Sequence, residues 1–177
     1  MIAVICITVF IVYLYNKLIS SKQNVKEAWS GIDVQLKRRH DLIPNIVTTV
    51  KGYAKHEDAL FQKIAEERSR AITIPTGDLH ALGAVEEKII QSMKSLFAVA
   101  EAYPELKANE NYLSLQQQLG ETEDQIASAR RIYNSNAADL NTLIQSFPSN
   151  IIASVLSFQK VEYFEAQDGE KESKIAI

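Results

Sequence analysis

The stretch AWSGIDVQLKRRHDLIPNIV, residues Ala28–Val47, sets the pattern for the first half of the chain. Its apolar residues recur at helical spacing, although the charged segment Lys37–His40 interrupts them and Pro44 follows. Over a longer range, twelve positions alternate at intervals of four and three residues, and ten of them are apolar or aromatic. These positions are Val25, Trp29, Ile32, Leu36, Arg39, Ile43, Ile46, Val50, Tyr53, Glu57, Leu60 and Ile64. A mean interval of ~3.5 residues indicates a helix that buries one stripe along its length.

The spacing continues without a slip across Pro44. A proline inside a helix removes one backbone hydrogen bond and usually bends the helix. We therefore predict one helical rod over roughly residues 24–70, with a bend near Ile43 and a length of ~70 Å at ~1.5 Å per residue.

The composition is that of a single globular domain. The chain has 177 residues, of which 46% are hydrophobic and 23% charged, with six glycines and four prolines. So few turn residues favour long regular elements over a β fold. The net charge of −3 argues against a nucleic-acid partner, because nucleic-acid binding needs a concentrated basic surface. The single cysteine, Cys6, excludes an internal disulfide.

The N-terminal residues predict a transmembrane anchor over residues 1–20. MIAVICITVFIVYLY carries no charged side chain, and Leu18 and Ile19 extend the apolar run. About nineteen residues at ~1.5 Å each span roughly 28 Å, close to the thickness of a hydrocarbon core. A cleaved leader is the alternative, but the basic residues and the small-residue site that it requires are missing.

Three lysines, Lys17, Lys22 and Lys26, follow this run. By the positive-inside rule they predict a single-pass protein of the cell membrane with a cytoplasmic body. The bilayer is therefore one predicted partner, bound through residues 1–20.

Three further helices complete a predicted all-α, antiparallel up-and-down bundle of about four helices over residues 21–161. The segment ITIPTGD (72–78) breaks the pattern, and Asp78 is suited to cap a helix that ends before Pro104. After the loop YPELKAN, Asn109 is suited to cap a long helix that ends near Ser146. The last helix, IIASVLSFQ (151–159), is predicted to lie far from the bilayer with its apolar residues in the bundle core. Its alternative role is a membrane-surface anchor. Residues 162–177 are acidic and predicted to be a disordered tail.

We find no pattern that predicts catalysis, a metal site or a cofactor. Di-iron bundles use Glu-x-x-His pairs, but the residues three before the histidines are Lys37, Tyr53 and Gly77. No serine lies in a Gly-x-Ser-x-Gly turn, and no glycine-rich phosphate loop occurs. We therefore predict a protein that is not an enzyme, with its three histidines at ordinary surface positions or at the flank of the apolar stripe.

The cations in the opening stretch differ in their predicted surroundings. Lys37 and Arg38 lie off the apolar stripe and suit a solvated face, whereas Arg39 lies on the stripe. An unpaired buried charge costs several kcal/mol, so Arg39 needs a partner from another helix or another chain. Glu123 and Glu110 are the candidates by position, and anionic lipid is a weaker alternative.

Three blocks of the sequence resemble the LemA family. They are EAWSGIDVQLKRRHDLIPNIVTTVKGYAKHE (27–57), AEAYPELKANENYLSLQQQLGETEDQIASARRIYN (100–134) and SFPSNIIASVLSF (146–158). The resemblance extends from the anchor to about Phe164, with a departure at SNAADLN (135–141). It implies a bacterial protein with an N-terminal membrane helix, a soluble antiparallel helical bundle and no established enzymatic activity.

These observations predict a scaffold or interaction protein with a protein partner or a second copy of itself. The predicted contact uses Val25, Trp29, Ile32 and Arg39, because the rod is longer than its return helix and leaves apolar surface near the membrane. Burial of the same residues by the long helix of the chain itself is the competing explanation. The alternative function is a membrane-tethered sensor or small-ligand-binding bundle with a cavity lined by Thr122, Tyr133 and Asn136.

Overall fold

The computed structural model describes residues 1–75 and 78–164. Six helices and no strand occur in these residues, which confirms the predicted all-α class. The helices are α1 (Ile2–Lys51), α2 (Asp58–Thr73), α3 (Leu79–Glu101), α4 (Pro104–Lys107), α5 (Glu110–Gln145) and α6 (Ser149–Val155). Most of the predicted acidic tail lies outside the described residues.

Two compact units make up the chain, and both α1 and α5 contribute to each of them. The anchor unit consists of Met1–Val34 and Ala127–Tyr163, and the core unit is formed chiefly by Gln35–Ile126. The division into an anchor over residues 1–20 and one bundle over residues 21–161 stays a prediction.

The first part of α1 is the stretch that can cross a membrane. It contains a window that is long and apolar enough for a span, and most of this window is exposed in the structure. A buried core helix would instead be covered by the rest of the protein. With the exception of Leu14, the large side chains from Ile2 to Tyr15 are exposed, which fits a surface that faces lipid.

The predicted rod over residues 24–70 is wrong, because the chain reverses after Lys51. In the core unit, Lys51 Nζ lies 3.5 Å from Asp58 Oδ1 at one end of the pair formed by α1 and α2. At the other end, Arg68 Nε donates to the backbone oxygen of His40 at 2.6 Å. These contacts make α1 and α2 an antiparallel hairpin. The regular spacing continued through the turn because both arms of the hairpin bury their apolar stripes in the same core.

Pro44 lies inside α1, as predicted, and the helix continues through it. Proline has no N–H, so the oxygen of His40, four residues earlier, loses its usual intrahelical donor. Arg68 Nε of α2 supplies a donor to that oxygen. The Arg68 guanidinium thus replaces the hydrogen bond that the proline removed, which explains how α1 accommodates a proline in its interior.

The core unit is a bundle in which α1, α2, α3 and α5 share one apolar core. Its buried residues come from all four helices, from α4 and, at Ala54, from the turn between α1 and α2. They are Leu42, Ile43, Ile46, Val50, Ala54, Phe61, Ile64, Ala71, Ile89, Met93, Leu96, Ala100, Leu106, Tyr112, Leu115 and Leu119. The predicted loop YPELKAN contains the one-turn helix α4, because Leu106 is fully buried in this core.

Two predicted helix caps are confirmed by hydrogen bonds. The backbone N–H of Ala81 donates to Asp78 Oδ1 at 2.9 Å, at the start of α3. The N–H of Tyr112 donates to Asn109 Oδ1 at 3.0 Å, at the start of α5. Asn109 also donates through Nδ2 to the Tyr53 hydroxyl at 3.2 Å, which ties the start of α5 to the turn between α1 and α2.

In the anchor unit, α5 runs antiparallel to α1. The rings of Trp29 and Tyr133 form an edge-to-face pair with centroids 6.0 Å apart. Asn136 Nδ2 donates to the backbone oxygen of Asn24 at 3.2 Å. Higher residue numbers on α5 therefore pair with lower numbers on α1, and α5 ends beside the N-terminal part of α1.

The prediction that α6 lies far from the bilayer with its apolar residues in the core is wrong. Ile151 is 56% and Val155 79% exposed. Lys22 Nζ lies 5.5 Å from the centroid of the Phe158 ring, so the segment after α6 contacts α1 just past the predicted span. The prediction failed because it assumed that residues 24–70 form one unbroken rod.

The contact between Arg68 and the helix at Pro44 predicts energetic coupling between the two side chains. Arg68→Met keeps the apolar stem but removes the donor, and we expect it to lower the free energy of unfolding by ~1–2 kcal/mol. In a Pro44→Ala background the His40 oxygen regains an intrahelical donor, so the same change should cost about 1 kcal/mol less. Urea unfolding of the four variants in mild detergent, followed by circular dichroism, measures the coupling.

Arg70→Met is the matched control, because Arg70 is exposed on the same helix and should show no coupling to Pro44. Equal costs of Arg68→Met with and without the proline would contradict this explanation.

Candidate functional site

Arg39 forms the centre of a buried ionic cluster in the core unit. Its side chain is 1% exposed, in agreement with its position on the apolar stripe of α1. Its Nη1 donates to both carboxylate oxygens of Glu123 on α5, at 2.9 Å each. Its Nη2 binds Oε2 of Glu86 on α3. The predicted pairing with Glu123 is confirmed, whereas Glu110 lies about 20 Å earlier along α5 at ~1.5 Å per residue.

Glu86 is the second member of the cluster, and the sequence analysis missed it. The carboxylate is fully buried between Leu82 and Ile89, which are seven residues apart on the apolar stripe of α3. Glu86 occupies the intermediate position of the same three-and-four spacing. An acidic residue on one stripe and a cation on another is the signal that could have paired it with Arg39.

His40 is the third member, and of the two predicted positions, surface or flank, it occupies a buried one at the flank of the stripe. The ring is 7% exposed, and Nε2 lies 3.0 Å from Oε1 of Glu86. An ionised carboxylate only accepts hydrogen bonds, so Nε2 donates. His40 lies next to the stripe of α1, and the packing of α2 and α3 widens the buried face to include it. His56 and His80 are exposed, as predicted.

The cluster favours the ionised form of Glu86. Burial by itself raises the pKa of this carboxyl, but the hydrogen bond from His40 and the charge of Arg39 outweigh that effect. The pKa of Glu86 is therefore held below its ordinary value. Opposite charge and hydrogen bonds to the charged form are the expected causes of such a shift.

This arrangement is suited to holding helices in register. Both oxygens of Glu86 and two nitrogens of Arg39 are used within the cluster, which joins α1, α3 and α5. Within residues 1–75 and 78–164, no three histidine, cysteine or acidic side chains are grouped so that they could hold a metal ion. Buried charge pairs of this kind constrain which helices can pack together, because any other packing leaves a charge unpaired.

The four residues predicted to contact a partner are covered within the single chain to different degrees. In the anchor unit, Val25 is 7% exposed, Ile32 is fully buried and Trp29 is half-buried against Tyr133. In the core unit, Arg39 is bound as described above. Burial by the chain itself, the competing explanation, accounts for these positions, and their role in a partner contact stays a prediction.

The side chains that were predicted to line a ligand cavity also bond within the chain. In the core unit, the Thr122 hydroxyl donates to the oxygen of Gln118 at 2.7 Å. In the anchor unit, the Tyr133 hydroxyl donates to the oxygen of Glu162 at 3.1 Å, and Asn136 binds Asn24. Burial and then the charge of Glu162 raise the pKa of Tyr133, which keeps its hydroxyl a donor.

The cluster predicts that its two carboxylates differ in their contribution to stability. Glu86→Gln leaves the buried guanidinium with Glu123, whose side chain is 37% exposed. We expect this change to lower the free energy of unfolding by ~3–5 kcal/mol. The control Glu123→Gln should cost no more than about 1 kcal/mol, because water screens a half-exposed pair. Urea unfolding in mild detergent measures both.

The same pair of variants tests the effect of pH. Because the pKa of Glu86 is lower in the folded state, its ionisation stabilises the protein above its unfolded pKa of about 4.3. That contribution is lost as the pH falls below this value through the folded pKa. The gap in stability between wild type and Glu86→Gln should therefore narrow in acid. A gap that stays constant down to strongly acid pH would count against the cluster.

Comparison with known proteins identifies the family of this chain. Residues 28–177 match the LemA family. Protein LemA of Metamycoplasma hominis is 30% identical over 158 residues, which cover 88% of this chain and 71% of that protein. Magnetosome protein MamQ of Magnetospirillum gryphiswaldense is 24% identical over 192 residues, covering 92% of this chain and 70% of that protein. Magnetosome protein MamQ 1 of Paramagnetospirillum magneticum is similar at 24% identity, with 93% and 70% covered. With most of its length matched, the chain belongs to the LemA family.

Proposed function

We propose that this protein is a membrane-anchored scaffold, which holds other protein chains or copies of itself at a membrane and catalyses no reaction. Its association with a membrane is supported by the apolar, exposed start of α1 and by its relatives. None of the names of these relatives denotes an enzyme. In the anchor unit, one helix carries both the lipid-facing stretch and the residues that pack against α5.

The observation that carries the proposal is the internal use of the buried charges. Arg39, Glu86 and His40 are titratable groups that lie together in one cluster, and each is at least nine-tenths buried. Their charged atoms bind one another across three helices. A group that already serves as a partner to its neighbour holds the bundle together and is not available to a substrate.

The remaining surface offers a few exposed apolar side chains outside the anchor and α6. Ile72 on α2 is 57% exposed and Leu113 on α5 is 49% exposed, both in the core unit. Val34 and Ile132 in the anchor unit are exposed to a similar degree. Single exposed apolar residues are common on soluble domains. They are nevertheless the positions at which a partner would gain most from contact, and so they are the positions to test.

A photo-reactive amino acid at Ile72 or Leu113 tests the scaffold role directly. After irradiation of intact cells, we expect one or a few discrete cross-linked products at these positions. Ser69 and Gln116 are matched controls, because they are exposed and polar on the same two helices, and they should yield fewer products. Native mass measurement in mild detergent then shows whether the partner is a second 19.8 kDa chain or another protein.

A protein that stays monomeric by mass and cross-links nowhere on its surface would contradict the scaffold role. A small molecule retained in stoichiometric amount would instead favour the ligand-binding alternative.

The three lysines after the span give a separate prediction of orientation. Of the reporters fused after Ile177, we expect only one that functions in the cytoplasm to be active. Lys17, Lys22 and Lys26 favour the cytoplasmic side for the residues that follow the span. Paired fusions to a cytoplasmic fluorescent reporter and to an externally active phosphatase provide the measurement. Activity of the phosphatase alone would show the opposite orientation.

A further inference from the structure

Helix α6 buries its small side chains and exposes its large apolar ones, which is the reverse of an ordinary surface helix. Its buried residues are small, Ser149 and Ala153, one turn apart. Its large residues Ile151 and Val155, also one turn apart, are 56% and 79% exposed. A helix that packs on a water-soluble bundle turns its large apolar face inward. The inverted pattern therefore indicates that another apolar medium or molecule covers the outer face of α6.

Residues on either side of α6 extend the same surface. Phe147 is 80% and Leu156 45% exposed. Asp139 and Lys160 are the nearest charged residues, and the twenty residues between them carry no charge. An exposed apolar patch without charged residues is unusual for a surface in water. We call Phe147, Ile151, Val155 and Leu156 the α6 patch.

The antiparallel pairing of α1 and α5 sets the level of this patch along the anchor. Asn136 lies beside Asn24. Gln145, the last residue of α5, is nine residues further on, or ~14 Å at ~1.5 Å per residue. Nine residues back from Asn24 is Tyr15. The corner between α5 and α6 is therefore level with the last turns of the predicted span.

Burial in the anchor itself agrees with this level. Leu14 and Leu18 are 8% and 0% exposed, whereas the large apolar residues around them are exposed. They lie one turn apart on α1, so one stripe of the anchor is covered by the anchor unit. The residues that cover Leu14 and Leu18 must lie at the same depth in the membrane as these two leucines. This places part of the anchor unit beside a stretch that we expect to lie in lipid.

Two lysines mark the boundary with water. Lys17 is exposed one turn below Ser21 on the anchor helix, where its long side chain can reach the headgroups. Lys22 lies over the ring of Phe158, three residues after α6 ends. After α6, the chain therefore reaches the level of the lipid headgroups at Phe158.

We propose that the α6 patch inserts into the same bilayer that the N-terminal part of α1 crosses, so that the protein contacts the membrane twice. The patch contacts lipid at the boundary between headgroups and acyl chains, into which amphipathic segments insert by ~5–10 Å. The proposal rests on the anchoring of α1 in a membrane and is independent of the scaffold role. A protein partner or a second copy would have to bind this surface at bilayer depth.

The test uses the full-length protein with Cys6→Ser and a single new cysteine that carries an environment-sensitive fluorophore. The probe positions are Ile151→Cys and Val155→Cys, which remove no buried packing. Ser135→Cys is the matched control on the exposed face of α5 in the same unit, and Ile11→Cys reports the anchor. Each protein is reconstituted into vesicles of phosphatidylcholine and phosphatidylglycerol. Nitroxide-labelled lipids and aqueous iodide then serve as quenchers.

We expect blue-shifted emission and strong quenching by nitroxide lipid at Ile151→Cys, Val155→Cys and Ile11→Cys. The label at Ser135→Cys should be quenched by iodide alone. Iodide quenching at Ile151→Cys and Val155→Cys would overturn the proposal, because the patch would then face water. Protection from both quenchers would also overturn it and would assign the patch to a protein partner or a second copy. A label at Ile11→Cys that escapes lipid quenching would show that the anchoring itself fails, whatever the cross-linking of Ile72 and Leu113 shows.

Discussion

The guanidinium of Arg39 is the group on which the core unit depends most. Removing such a charge from water costs several kcal/mol unless opposite charge and hydrogen bonds compensate. Glu86 from α3 and Glu123 from α5 supply both, and His40 adds a donor to Glu86. Three helices must therefore reach their native positions together, because a bundle that lacks either α3 or α5 leaves the arginine without one of its carboxylates.

A second polar contact lies within one and a half turns of the same place. Pro44 deprives the His40 backbone oxygen of its helical donor, and Arg68 from α2 replaces it. The charged segment before the proline and the proline itself thus serve one purpose. They give α1 specific polar contacts with α2, α3 and α5, whereas an apolar stripe alone would allow the helices to slide along one another. In this way Arg39 and His40, which resemble the residues of a reactive site, stabilise the packing of the helices.

The anchor unit combines two kinds of surface on the same helices. The N-terminal part of α1 is exposed and apolar, as a lipid-facing helix must be, and its continuation packs against α5 through Trp29 and Tyr133. The end of α5 and α6 lie beside the last turns of the predicted span. If α6 inserts into the bilayer as proposed, the anchor unit is held at two points, which restricts its tilt and rotation about α1. A scaffold that positions partners at a membrane gains from such a restriction, because each partner is then held at a defined height and orientation.

The sequence by itself determined the all-α class, the stretch that is long and apolar enough to span a membrane, the caps at Asp78 and Asn109, and the burial of Arg39 with Glu123 among its possible partners. These features depend on spacing and on hydrogen bonds between residues close in the chain, which one sequence displays directly. Only the tertiary structure decided that the chain reverses after Lys51, because the two arms of a hairpin show the same spacing as one long helix. It also decided the pairing with Glu86 and the position of α6. These depend on which helices become neighbours in three dimensions. Periodic spacing marks Glu86 as a stripe position of α3, but it does not say which stripes face each other.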